Sequence, residues 1–98
     1  DLVYFYKYIK RETERFEDYA VAFSIDGEFK EKRCKTTKEI SDVIVERAEG
    51  FEGTIPINVQ VPPNLESDYF RTSGKMGAAD KKAVSDFLEH RKIKVKWC

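Results

Sequence analysis

An α+β fold, with a mixed sheet of about five strands and two helices in the order β-β-β-α-β-α-β, follows from three features of the sequence. Aromatic and branched residues alternate through two N-terminal stretches, and Asp26-Gly27 joins the second to a third; this dipeptide suits a type I′ hairpin, whose two central positions need positive φ. Two later stretches, one opening at Thr36 and one at residue 78, carry apolar residues at helical spacing. Each helical stretch is followed by further strand-like alternation, at 54–61 and at 93–97.

The elements follow in chain order. Residues 2–10 set Val3, Phe5, Lys7 and Ile9 on one face and Leu2, Tyr4, Tyr6 and Tyr8 on the other. Both faces are largely apolar, which suits a central strand covered on both sides. Residues 11–18 form a charged connection. In 19–25, Tyr19, Val21, Phe23 and Ile25 alternate with Ala20, Ala22 and Ser24. The returning stretch, 28–35, is heavily charged, as expected of an edge whose open hydrogen-bonding groups must be kept from pairing with other chains. Thr36 and Glu39 stand at capping-box spacing, Ile40, Val43, Ile44 and Ala48 make a stripe, and Gly50 supplies a stop. Within 54–61, Ile55, Ile57, Val59 and Val61 share a face, and Pro56, which lacks an N–H, should lie near the strand's start or beside a gap in pairing. A helix over 78–91 turns Ala83, Val84, Phe87 and Leu88 inward, and Ile93, Val95 and Trp97 then alternate with Lys92, Lys94 and Lys96.

The hairpin requires antiparallel pairing and the two strand-helix-strand passages require parallel pairing, so the sheet is mixed. Placing the first strand centrally and the third at the edge gives the spatial order 3-2-1-4-5, ribonuclease-H-like by analogy of topology alone. A ubiquitin-like grasp is the main competitor and a ferredoxin-like sandwich the third option.

The 98 residues make a single domain, 1–98, with 41% hydrophobic and 37% charged residues, a globular composition. Lys plus Arg and Asp plus Glu each total 18, so no net charge draws the chain toward nucleic acid or an anionic membrane, and any such attraction must be local. No run is long and apolar enough for a transmembrane span. Cys34 and Cys98 allow one disulfide at most and are too few for a cysteine metal cage. If oxidised, the pair indicates a secreted protein and closes a loop that stabilises by about 4 kcal/mol; if reduced, it fits the cytoplasm.

Catalytic patterns are sparse. Two-metal chemistry on a ribonuclease-H-like sheet needs carboxylates on the central and fourth strands, where this chain has tyrosines, Phe5, Lys7, Asn58 and Gln60. His90, the sole histidine, has no triad partner at a recognisable spacing and sits where a cation complements a helix C-terminus. A small hydrolase is therefore the third functional class, behind two binding readings, and no cofactor or metal is implied.

The long stretch at 62–77 is the best functional lead, because compact domains rarely carry that much irregular chain without a use for it. Its TSGKMG run has glycines before a helix N-terminus but not the spacing of a phosphate-binding Walker loop, and Asp80 competes for the same amides. What survives is an anion site built on Arg71, Ser73 and Lys75. The first functional expectation is a protein-interaction module using this aromatic and basic loop, with Tyr69, Phe70 and Arg71 as contacts, and the charged edge at 28–35. The second is single-stranded nucleic-acid binding, with Tyr4, Tyr6 and Tyr8 stacking bases and Lys94 and Lys96 holding phosphates, provided that face is open.

Overall fold

The most aromatic segment of the chain forms the middle of the sheet. In the computed structural model, which describes residues 2–10, 13, 15–48, 53–63, 71–73 and 76–98, β1 (Leu2–Ile9) is flanked on one side by β2 (Phe16–Ile25), antiparallel from Leu2↔Ser24 to Tyr8↔Asp18. The ladder shifts register between Tyr8 and Ile9. On its other side β1 runs parallel to β4 (Thr54–Asn58), through Val3↔Ile57 and Tyr4↔Asn58. β3 (Glu28–Cys34) lies outside β2, and β6 (Lys94–Trp97) pairs parallel to β4, so the order is β3-β2-β1-β4-β6. This is the strand order expected from the sequence, with one addition. A two-residue strand, β5 (Arg71–Thr72), pairs antiparallel with Lys7 and Tyr8, using the stretch of β1 edge beyond its pairing with β4. So short a strand has no alternation to read, and it emerges from a segment that reads as loop.

Asp26 (φ 51°) and Gly27 (φ 83°) make the β2–β3 turn with positive φ at both central positions. The β1–β4 ladder begins at Ile57, just past Pro56, whose missing N–H therefore faces a gap in pairing. β4 ends at Asn58, earlier than the alternation suggests. Val61 consequently packs with the tyrosines rather than with Ile55 and Ile57.

Helix α1 (Thr37–Arg47) starts where the Thr36 side chain accepts from the Glu39 N–H at 3.2 Å. The Glu39 carboxylate accepts from the Lys35 N–H, one residue earlier than a standard capping box. Helix α2 (Ala78–His90) starts at Gly77, whose N–H donates to Asp80. Both helices cover the same sheet face: Ile40, Ile44, Val84 and Leu88 pack with Val3, Phe5, Val21, Phe23, Ile55 and Ile57. Phe5 has no exposed surface, and its burial contributes about 2–3 kcal/mol. The inward stripe of α2 is narrower than its sequence suggests. Val84 and Leu88 are buried, Ala83 is half-buried, and Phe87 is 38% exposed, because the i, i+4 row through Asp80, Val84 and Leu88 faces the sheet. Gly50 lies outside the described residues; α1 is capped at Ala48.

Cys34 and Cys98 are free thiols at opposite edges of the sheet. Four inter-strand steps separate those edges by about 19 Å, so the possible disulfide between them does not form in this fold. Cys34 is buried, and burial, followed by the Glu39 carboxylate, pushes its thiol pKa up.

Candidate functional site

Strand parity places Tyr4, Tyr6 and Tyr8 of β1, Ala20 and Ala22 of β2, and Phe29, Glu31 and Arg33 of β3 on the sheet face opposite the helices. The small alanines are decisive. They let tyrosine rings from the central strand lean across β2 and reach the edge strand. Both the Tyr6 and the Tyr8 hydroxyl donate to the Glu31 carboxylate, and Arg71, delivered by β5, donates to it from Nε at 2.9 Å. Tyr4 meets Phe29 edge-on, with centroids 5.6 Å apart. The guanidiniums of Arg33 and Arg71 stand 4.0 Å and 5.1 Å from the Tyr8 ring centroid. Arg33 and Lys35 both pair with the buried Asp18 carboxylate.

The electrostatics tie the members of this cluster to one another. Burial alone would raise the Glu31 pKa, but Arg71 and the two tyrosine hydroxyls outweigh it and hold the carboxyl below its usual range. Desolvation, reinforced by the same carboxylate, pushes the Tyr6 and Tyr8 pKa values up, so both stay protonated donors. Asp18 is held low chiefly by Lys35.

A second network closes the helix side. Asp80 would be raised by burial, yet Lys7 at 2.9 Å, the Tyr19 hydroxyl at 2.8 Å and the Gly77 amide together hold it low. Burial and then Asp80 push Tyr19 up to about 12. The Lys7 ammonium lies 5.2 Å and 5.3 Å from the Phe16 and Tyr19 ring centroids. The Gly77 amide at the start of α2 thus already meets a carboxylate of the chain.

The residues singled out in the sequence fare differently. Tyr4, Tyr6 and Tyr8 share a face with Lys94 and Lys96, as the nucleic-acid reading requires, but they are only 5%, 0% and 6% exposed, so no base can stack on them. Lys94 and Lys96 are exposed. Arg71 is bound to Glu31, and Ser73 is half-buried with its carbonyl accepting from the Met76 N–H at 3.1 Å. Tyr69, Phe70 and Lys75 lie outside the described residues. Among the described residues no group of three His, Cys, Asp or Glu side chains is arranged to hold a metal ion, and no helix is long and apolar enough to cross a membrane.

Two features not singled out in the sequence emerge. Glu31 is the hub of the tyrosine face, a role that the alternation of 28–35 opposite Ala20 and Ala22 already encodes. On the helix side of the same strand, Lys30 and Lys32 are exposed and border a hollow of about 220 Å³ that is floored by Phe23 and walled by Val43, Glu46 and Arg47. Arg47 stacks 5.2 Å from the Phe23 centroid.

Comparison with family models, curated proteins and solved structures finds no match.

Proposed function

We propose that the chain is a non-enzymatic protein-interaction module whose β3 edge accepts an extended segment of another protein as an added strand. One observation carries this reading: β3 offers seven residues, paired with β2 along their whole length and with no strand on the outer side among the described residues. The edge is also held in place. Glu31 ties β3 to the central strand and to β5, and the Arg33–Asp18 pair ties it to β2, so little ordering cost falls on binding. The loop aromatics Tyr69 and Phe70 stay in the proposal as contacts. Arg71 acts from within as the group that holds the edge, rather than as a contact.

The test is amide NMR of the labelled chain against a panel of extended peptides of about eight residues. Shifts concentrated in residues 28–34, and weaker binding in Phe70→Ala, are the expected result. Peptide binding that leaves the β3 amides unmoved contradicts strand addition.

A further inference from the structure

We infer that the segment taken by the β3 edge is acidic, with carboxylates at alternate positions set opposite Lys30 and Lys32. This rests on the strand-addition reading above. Lys30 and Lys32 stand two residues apart on one face of β3, about 7 Å from each other, and alternate residues of an added strand repeat at the same spacing. Both ammonium groups are exposed, and among the described residues neither has a carboxylate within ion-pair distance. Their neighbours are already matched: Arg33 and Lys35 on Asp18, Lys38 on Asp42 at 3.1 Å.

The hollow beside them is bordered by Lys30 and Lys32, with Glu46 on its helix wall and Glu31, already held by Arg71, also lining it. On the other face of β3, Glu31 is held by Arg71, and Arg33 meets both Asp18 and Glu17, so it is the helix side that presents the two lysines without an ion-pair partner among the described residues. A second copy of this chain, paired antiparallel in the register centred on Glu31, would set Lys30 opposite Lys32. The β6 edge also carries exposed lysines, Lys94 and Lys96, but offers only four residues.

The experiment is fluorescence anisotropy of the whole chain with three labelled peptides of about eight residues that alternate Val with Glu, Gln or Lys. At about 0.05 M salt the Glu peptide is expected to bind at least tenfold more tightly than the Gln peptide, and to lose that advantage at about 0.5 M. The Lys30→Glu/Lys32→Glu variant, changed only at exposed side chains, is expected to lose the Glu peptide and gain the Lys peptide. Equal binding of the Glu and Gln peptides, or a Glu peptide indifferent to the double substitution, overturns the charge inference and leaves strand addition standing. If none of the three binds and the β3 amides do not shift, both fail.

Discussion

Glu31 shows how one side chain can fix a surface without touching a ligand. It is the common acceptor for two tyrosines from the central strand and an arginine from β5, and its folded pKa lies below its ordinary 4.5. A carboxyl with a depressed folded value stabilises the fold fully above its unfolded pKa, and that contribution is lost as pH falls through the lower, folded one. Asp18 and Asp80 behave alike from their ordinary 3.8. Glu31→Gln is therefore expected to cost about 2 kcal/mol near neutrality and to flatten the fall in stability below about pH 4.5, measured by urea unfolding across pH. An unchanged acid limb contradicts the clamp. The tyrosines act with the opposite sign. Their folded values are raised from 10.0, so their contribution is present below pH 10 and is lost as pH rises through the folded values, about 12 for Tyr19. Phenolate absorbance of the folded chain should accordingly differ between wild type and Tyr19→Phe around pH 12 and not around pH 10. A difference at pH 10 would place Tyr19 outside the Asp80 pocket.

At the scale of elements, local chemistry was legible where one residue type answers one backbone demand. The Asp26-Gly27 turn has the two positive φ angles that its sequence implies, and Gly27→Ala is expected to cost about 1 kcal/mol because Ala resists φ 83°. Thr36→Ala should cost a similar amount, about 1 kcal/mol, through the lost α1 cap, read from the urea midpoint. Features set by tertiary contact were less legible. Phe87 reads as core by spacing, yet the α2 row that meets the sheet runs through Val84 and Leu88. Val61 continues an alternating pattern, but the strand ends at Asn58 and the residue packs with the tyrosines. The Glu31 hub was readable in principle from strand parity. What hid it is that a charged edge strand usually signals solvent, and only Ala20 and Ala22 open the path for Tyr6 and Tyr8 to reach it.

For the whole molecule, both helices lie on one face, and on the other the part over β1 to β3 is closed among the described residues by tyrosines, Val61, Phe29 and the Glu31 network, while Lys94 and Lys96 remain exposed on its β4–β6 part. The strand order was legible from the hairpin and the two strand-helix-strand passages, whereas whether the tyrosine face is open was not, because it depends on side chains from β3 and β5 closing over it. With the tyrosines buried, the proposed binding rests on the long β3 edge. Hydrogen exchange of the β3 amides, with and without a bound acidic extended peptide, tests that claim most directly. The outward-pointing amides, alternate ones along residues 28–34, should exchange freely in the isolated chain and be slowed when the peptide binds. If the peptide binds and these amides exchange as fast as before, β3 is not the binding edge.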